Sequence, residues 1–336
     1  MGHLISSSIN DLYINGLREI INEGQLVDPV VDLTSPGYSR QVRSSCFIEL
    51  SPFTLTLTNP RNRIITAKMP DIFNAIGMWF WFVKGDNSKD GITFYNPLSS
   101  KFIDVDVDKN CFYGVWGYRA KNYIQKGIEI LKDDPTSRRI YIPIFYPEDV
   151  GYQSLNLPCL IGMHLLVRDK KLNLVVNMRS SNAYNVLPYD IFVMSLVHEY
   201  ISVLTKIPLG TFHFVANSFH IYTKYLEEIK QLTISKNSYD DPFYVMPKMI
   251  EDDFEKIFEV ESNIKKNKYV SINKVLEDID TSSLTSYWKD ILLIVFARYL
   301  YINGLNPSIA SEFMKLNPLK RIVSNLNREE IKIRTG

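Results

Sequence analysis

The chain has 336 residues, 46% apolar and 22% charged, which are ordinary values for a globular protein and exclude a disordered or collagen-like chain. Its 38 basic and 37 acidic residues give a net charge of +1, so it lacks the global positive field that a polymeric nucleic acid requires. Three cysteines cannot form a disulfide framework and, without a signal-peptide pattern, predict a reducing, cytoplasmic setting. Because no apolar run approaches the roughly 20 residues of a membrane span, no membrane is expected as a partner.

The first half of the chain mixes helical and strand patterns. Apolar spacing predicts a helix over 5–23, strands over 46–67 and an aromatic-rich helix over 70–84. An amphipathic helix over 123–132 and a strand over 139–145 follow.

The second half begins with two strand-like runs over 160–178 around a polar turn, which predict a hairpin. A helix over 190–206, a strand over 211–217 and a helix over 221–232 follow. Because strands and helices alternate without a regular βαβ rhythm, the predicted class is α+β. Beyond residue 235 the pattern becomes charged and helical, so we expect a catalytic domain over 1–235 and a helical C-terminal extension over 236–336.

Three segments stand out as candidates for chemistry. Cys159 follows Leu157-Pro158, although a cysteine at the start of a strand is most often a small core residue. The run from Asp134 to Arg139 has the composition of a solvated turn, and Asp190 after Leu187-Pro188-Tyr189 could simply cap a helix. The spacing of His, Cys, Asp and Glu indicates no metal site, and no phosphate-binding P-loop or dinucleotide motif is present.

Taken together, these segments resemble the thymidylate synthase family, which includes the pyrimidine-nucleotide hydroxymethylases. The resemblance runs from the N-terminal helix to about Leu232. The motifs that carry it, in the order of the family, are Trp81-Phe82-Val83-Lys84-Gly85, Tyr113-Gly114, Asp134-Pro135-Thr136-Ser137-Arg138-Arg139, Leu157-Pro158-Cys159, Val167-Arg168-Asp169-Lys170-Lys171-Leu172, Met178-Arg179-Ser180, Leu187-Pro188-Tyr189-Asp190 and His220-Ile221-Tyr222. The resemblance implies a large, mixed, twisted sheet flanked by helices.

The resemblance also implies an activity. A cysteine thiolate adds to C6 of a pyrimidine nucleotide, and C5 then takes a one-carbon unit from 5,10-methylenetetrahydrofolate. Hydride delivery gives a methyl group, whereas addition of water gives a hydroxymethyl group. Covalent catalysis of this kind favours a cysteine whose pKa is lowered by neighbouring arginines.

Carried over residue by residue, the family pattern makes Cys159 the nucleophile and Tyr113 the group that assists removal of the C5 proton. The implied phosphate ligands are Arg179 and Ser180, Arg138 and Arg139 from the other subunit of a homodimer, and Arg40, with Arg43 as the alternative because that loop aligns poorly. His220 and Tyr222 would bind the sugar, and Asp190 and Asn182 would lie at the base.

The substrate is predicted from Asp190. Thymidylate synthases have an asparagine here, which matches uracil, whereas the family's cytidylate hydroxymethylases have an aspartate. A carboxylate accepts from the 4-amino group of cytosine, and a shared proton satisfies N3. The expected substrate is therefore CMP or dCMP.

Four positions depart from the family pattern. The catalytic glutamate aligns with Met78, the histidine after the nucleophile with Leu160, the pterin-contacting aspartate with Asn182, and a glycine with Val186. The first two changes remove groups that order water, and the other two touch the folate face. Hydroxymethylation fits better than methylation, because it needs no hydride from folate and tolerates a wetter site. The alternatives that stay open are a catalytically weakened nucleotide-binding protein and a uracil-nucleotide methylase or hydroxymethylase.

Overall fold

The computed structural model describes residues 2–29, 45–102, 110–235, 238–248, 253–268 and 271–326. Arg40 and Arg43, the two alternative phosphate ligands of the N-terminal loop, lie outside these residues.

Two sheets form the centre of the described chain. The strands are β1 (Gly2–Ser6), β2 (Gln25–Val27), β3 (Phe47–Leu50), β4 (Phe53–Leu57), β5 (Tyr141–Pro143), β6 (Leu160–Arg168), β7 (Lys171–Met178), β8 (Ser181–Asn182), β9 (Leu209–Ala216) and β10 (Phe219–Tyr222). The larger, mixed sheet has the order β1-β4-β9-β7-β6-β5, and the smaller one the order β2-β3-β10-β8. This architecture confirms the predicted α+β class.

Helices surround the sheets. They are α1 (Ile9–Glu23), α2 (Ile72–Lys84), α3 (Lys89–Thr93), α4 (Trp116–Asp133), α5 (Leu187–Thr205), α6 (Leu226–Ile234), α7 (Asp253–Lys265), α8 (Ile272–Thr281), α9 (Ser286–Ile302) and α10 (Leu319–Ser324). The predicted helix over 70–84 corresponds to α2, which ends where Gly85 adopts a left-handed conformation with φ +61°.

Two predicted helices begin too early. The helix predicted over 5–23 starts only at Ile9, because Gly2–Ser6 form β1. The pattern over 221–232 predicts a helix throughout, but Phe219–Tyr222 form β10, and α6 starts only at Leu226. β10 pairs with β3 on one side and with β8 on the other, so Ile221 is buried by sheet partners that are distant in sequence. Periodicity within a short segment cannot detect such pairing.

Helix α5 is apolar on almost every side and lies in the core. Pro188 occupies its first turn, where a missing N–H is tolerated, and Val186 is the residue before the helix. By length and composition alone α5 could cross a membrane, but most of it is buried within the protein. It is therefore a core helix, and its few polar side chains lack water.

The C-terminal helices pack directly on α2 and α5. Trp288 of α9 stacks on Trp79 of α2 with ring centroids 5.7 Å apart. Buried Glu261 of α7 pairs with Lys84 at 2.5 Å.

Buried Glu199 of α5 anchors the segment that leads to these helices. Its carboxylate binds Arg61 at 2.7 Å and the fully buried Arg63 at 2.6 Å. It also accepts the Met246 amide at 3.1 Å. One carboxylate thus connects the core helix, the loop before α2 and the start of the C-terminal region.

Replacing Glu199 with alanine leaves the Arg63 guanidinium buried without its anion. We expect the free energy of unfolding to fall by about 3–5 kcal/mol, as measured by urea unfolding. Glu227→Ala removes an exposed ion pair with Lys230 and serves as the control, with an expected loss below about 1 kcal/mol. Equal losses in the two variants would contradict this role of Glu199.

Candidate active site

Cys159 and Arg179 meet at the open end of the β6–β7 hairpin. Leu160 pairs with Met178 at the last register position, and the Arg179 amide donates to the Cys159 carbonyl at 2.8 Å. The guanidinium reaches back to the same loop, where Nε donates to Pro158 O at 2.8 Å and Nη2 to Leu157 O at 3.2 Å. These bonds fix the charge of Arg179 beside the thiol and leave other guanidinium N–H groups for an anion.

The Cys159 thiol is partly buried, and its pKa is raised. Burial is the largest cause; Arg179 acts in the opposite direction, and Asp190 adds to the increase. The sequence leads us to expect a lowered pKa. Among the described residues, Arg179 is the arginine beside the thiol, and its charge does not outweigh desolvation.

Asp190 lies in the first turn of α5 and is only 2% exposed. The residue that precedes the helix is Val186, so the alternative interpretation of Asp190 as the helix cap is wrong. Its Oδ2 is buried without a hydrogen-bond partner, and burial raises its pKa to about 8. Asp190 is therefore neutral at pH 7, with one donor and one acceptor position next to Cys159.

The small sheet brings three further predicted residues together. His220 is opposite Asn182 in the parallel β8–β10 pair, and Tyr222 follows two residues later on β10. The His220 and Tyr222 rings lie 5.3 Å apart. Burial lowers the pKa of His220, so its imidazole is neutral and can share hydrogen bonds with hydroxyl groups.

The glycine that follows Tyr113 allows the Tyr113 turn to lie against the loop that ends at Cys159. A Cβ on Gly114 would lie 2.0 Å from Asn156 O and 2.7 Å from Pro158 Cδ, so only glycine permits this approach. The Tyr113 ring also stacks on Tyr152 of the same loop, with centroids 4.3 Å apart. The turn that carries Tyr113 and the loop that ends at Cys159 are therefore in direct contact.

Arg138 and Arg139 are not part of this cluster within one chain. Both are exposed, and neither forms an ion pair with a described residue. The Arg138 carbonyl accepts from His164, which lies five residues along β6 from Cys159, or about 16 Å of strand. That separation exceeds the reach of an arginine side chain.

The sequence does not reveal several residues that the fold adds to the site. Arg119 and Asp149 form a buried ion pair next to Tyr113, and Lys68 lies with its Nζ 3.7 Å from the centroid of the Tyr184 ring. Glu49 accepts from Ser218, two residues before His220. These partners are remote in sequence, so no local motif could have identified them.

Comparison with known proteins identifies the family of this chain. The family model for thymidylate synthase matches residues 12–275. The chain belongs to the thymidylate synthase family. Members of this family transfer a one-carbon unit from methylenetetrahydrofolate to C5 of a pyrimidine nucleotide.

Individual members of the family are distant relatives. The deoxyuridylate hydroxymethyltransferase of Delftia phage PhiW-14 is 25% identical over 218 residues, which cover 60% of this chain and 61% of that protein. The thymidylate synthase of Mycoplasma mobile is 24% identical over 276 residues, which cover 72% of this chain and 91% of that protein. The structure of thymidylate synthase A from Bacillus subtilis has a TM-score of 0.62 at 19% identity, covering 72% of this chain and 90% of that one. This last likeness confirms the thymidylate synthase fold.

The family's one-carbon donor carries a planar pterin with several hydrogen-bonding groups, and the residues beside Asp190 fit such a group. Asn182 Oδ1 accepts the amides of Tyr184 and Asn185, which leaves the amide nitrogen available to donate. Val186 is 42% exposed, so its side chain does not fill the space next to the site. Among the described residues, no cluster of His, Cys, Asp and Glu could hold a metal ion.

The raised pKa of Asp190 makes the stability of the free protein depend on pH. An unfolded aspartate ionises near pH 4, whereas folded Asp190 ionises near pH 8, so burial of this carboxyl becomes progressively more costly between these values. We expect Asp190→Asn to leave stability unchanged at pH 4 and to raise it at pH 8.5, by roughly 5 kcal/mol at most. Urea unfolding at the two pH values measures this difference. The same change in stability at both would show that ionisation is not responsible.

Proposed function

We propose that this protein transfers a one-carbon unit from methylenetetrahydrofolate to C5 of CMP or dCMP and forms the 5-hydroxymethyl nucleotide. The observation that carries the proposal is the buried, neutral carboxyl of Asp190 with an unpartnered oxygen beside Cys159. A carboxyl kept neutral by burial can both donate and accept next to the nucleophile.

Asp190 would recognise the edge of the base through hydrogen bonds. Its O–H donates to N3 of cytosine while its other oxygen accepts from the 4-amino group, so both buried polar groups find partners. To bind uracil, Asp190 would need its proton on the opposite carboxyl oxygen, which would donate to O4 of the base. Cytosine is favoured because N3 is a stronger base than the O4 carbonyl, and its basicity rises as a thiolate adds to C6.

The phosphate and the sugar would occupy the two sides of the Cys159 loop. Arg179 is already oriented by its bonds to Leu157 and Pro158 and directs its remaining donors to the phosphate, next to Ser180. Neutral His220, with Tyr222, would bind the sugar hydroxyl. Together, these contacts would bring C6 of the base over the Cys159 sulfur.

The reaction would begin when Cys159 adds to C6 and Asp190 gives its proton to N3. The bound folate supplies the one-carbon unit at the formaldehyde level to C5. Tyr113 then assists loss of the C5 proton. Departure of the folate amine then leaves an exocyclic methylene group on C5, and water adds to it to give the hydroxymethyl group. As the thiolate leaves C6, N3 returns its proton to Asp190, which restores Cys159 and Asp190. Met78 and Leu160, in place of the residues that order water in the family, suit a site that transfers no hydride.

In a homodimer, the second subunit would add positive charge to the site. Burial raises the pKa of Cys159 more than Arg179 lowers it, so the described residues of one chain leave the thiol mostly protonated. Exposed Arg138 and Arg139 are too far from Cys159 of their own chain to help. Supplied by a second subunit, they would bind the phosphate and add the positive charge that favours the thiolate.

Exchange of the C5 proton in deuterated water tests the chemistry. With CMP or dCMP and no folate, we expect exchange that requires Cys159; with methylenetetrahydrofolate, we expect a product heavier by one formaldehyde unit. Cys159→Ala should abolish exchange and retain nucleotide binding. Asp190→Asn should shift preference towards dUMP by about 100-fold or more. An unchanged preference would contradict the assignment of cytosine.

Two other outcomes of the same assay correspond to other functions. Exchange and product formation with dUMP alone would identify a uracil-nucleotide enzyme, which the 25% identity to a deoxyuridylate hydroxymethyltransferase favours. Nucleotide binding without exchange or product would identify a catalytically weakened binding protein, a function that the raised pKa of Cys159 favours.

Subunit mixing tests the proposed dimer. The Cys159→Ala variant and the Arg138→Ala/Arg139→Ala variant should each be inactive. After mixing, unfolding and refolding, hybrid dimers contain one intact site, so we expect about a quarter of the wild-type activity. Arg168→Ala, an exposed arginine at the far end of the hairpin, should remain active alone. No recovery on mixing would show that the two arginines act within their own chain or do not act.

A further inference from the structure

Glu49 lies directly opposite His220 in the smaller sheet. In the antiparallel pairing of β10 with β3, His220 is the register partner of Glu49, so their side chains project from the same face of the sheet. On the other side of β10, the register partner of His220 is Asn182. The predicted sugar-binding histidine therefore has two polar neighbours across the sheet, an amide on β8 and a carboxylate on β3.

One oxygen of the Glu49 carboxylate is already engaged. Glu49 Oε2 accepts the hydroxyl of Ser218, the residue that directly precedes β10. Ser218 Oγ also lies 3.5 Å from His220 Nδ1. Burial lowers the pKa of His220, whereas the charge of Glu49 acts to raise it, which agrees with a carboxylate close to the imidazole. The hydrogen bond to Ser218 thus holds the carboxylate beside His220.

The other carboxylate oxygen is available to a ligand. Among the described residues, none donates a hydrogen bond to Glu49 Oε1, and no lysine or arginine forms an ion pair with Glu49. The side chain is half-buried, so this oxygen is only partly solvated. A carboxylate can only accept hydrogen bonds, so it favours a ligand that supplies O–H donors and repels a phosphate.

A ribose supplies such a donor next to His220. The sugar hydroxyl assigned to His220 and Tyr222 is on the 3′ side, and the 2′-hydroxyl is attached to the adjacent carbon on the same face of the ring. The register partner of Tyr222 on β3 is Phe47, an apolar ring 5.4 Å from the His220 ring. On β3, Glu49 is therefore the acceptor for a second hydroxyl. Acidic side chains bind the ribose 2′-hydroxyl in dinucleotide-binding folds for the same chemical reason.

We propose that Glu49 accepts the 2′-hydroxyl of a bound ribonucleotide and makes the protein prefer CMP to dCMP. This inference rests on the proposed function, because it requires the sugar of a cytidine nucleotide to lie against His220. The 2′-hydroxyl gives Oε1 of the half-buried carboxylate a partner, whereas a deoxyribose leaves it without one. Sites built to bind a substrate hydroxyl discriminate strongly against an analogue that lacks it for this reason.

Equilibrium binding of the two nucleotides gives the first test. Without folate, we expect the wild-type protein to bind CMP about 10- to 100-fold more tightly than dCMP, the range for one hydrogen bond to a charged group. Isothermal titration calorimetry measures both dissociation constants. Equal affinities, or tighter binding of dCMP, would overturn the proposal.

The variant Glu49→Leu removes both acceptor oxygens and keeps a side chain of similar size. We expect its affinity for CMP to fall to that for dCMP, while its affinity for dCMP stays within about 3-fold of wild type. Glu23→Leu is the matched control, because Glu23 is an exposed carboxylate at the end of α1, and it should keep the wild-type preference. An equal loss of affinity for both nucleotides would assign Glu49 a structural role and overturn the proposal.

A second analogue shows which hydroxyl Glu49 binds. The preference for CMP over 3′-deoxycytidine 5′-monophosphate should be unchanged in Glu49→Leu and should be lost in His220→Ala. Loss of this preference in Glu49→Leu would mean that Glu49 binds the 3′-hydroxyl, which contradicts the assignment to the 2′-hydroxyl.

A conservative variant keeps the proposal testable if Glu49→Leu does not fold. Glu49→Gln retains one oxygen acceptor without the charge, and a neutral acceptor forms a weaker hydrogen bond than a carboxylate. We expect the preference for CMP over dCMP to fall by about 3- to 10-fold in this variant. The wild-type preference in folded Glu49→Gln would overturn the proposal.

Measuring binding apart from chemistry keeps this inference distinct from the proposed function. The preference for CMP in binding needs no reaction, so it would remain if neither CMP nor dCMP exchanged its C5 proton, an outcome that overturns the proposed function alone. Conversely, a kcat/KM for dCMP equal to or above that for CMP would agree with the proposed function and overturn the role of Glu49.

Discussion

Burial of helix α5 is the constraint on which the rest of the structure depends. The helix is apolar nearly all round, so every polar side chain on it must find a partner or change its charge state. Glu199 finds Arg61 and Arg63 and stays ionised, and it binds the Met246 amide. Asp190, at the other end, has an unpartnered oxygen, and burial raises its pKa to about 8. The same apolar surroundings thus give Glu199 a structural role and keep Asp190 neutral beside Cys159.

The thiol and the carboxyl of the site are linked by the same desolvation. Burial raises the pKa of both Cys159 and Asp190, and ionisation of either makes ionisation of the other harder. Among the described residues, Arg179 is the positive charge next to the thiol. The free site therefore favours two neutral groups, and in the function we propose positive charge from a partner subunit would favour the thiolate.

Much of the fold could be predicted from local patterns. The hairpin of β6 and β7, helix α2 with its end at Gly85, and the α+β class follow from alternation, apolar spacing and a turn glycine. β10 could not be predicted, since its strand conformation comes from pairing with β3 and β8. The Arg119–Asp149 pair likewise joins residues thirty positions apart and leaves no local signal.

The sequence by itself determined which side chains are available for chemistry: a cysteine after Leu157-Pro158, arginines around it and an aspartate where the family's synthases have an asparagine. The identity of these side chains is fixed by the covalent structure. Motifs that follow one another in the family's order are sufficient to relate the chain to a family. Only the tertiary structure decided their charge states. Whether Cys159 and Asp190 are neutral depends on burial and on contacts between distant segments. The reason is physical, because a pKa is set by the surroundings of a group and not by its neighbours along the chain.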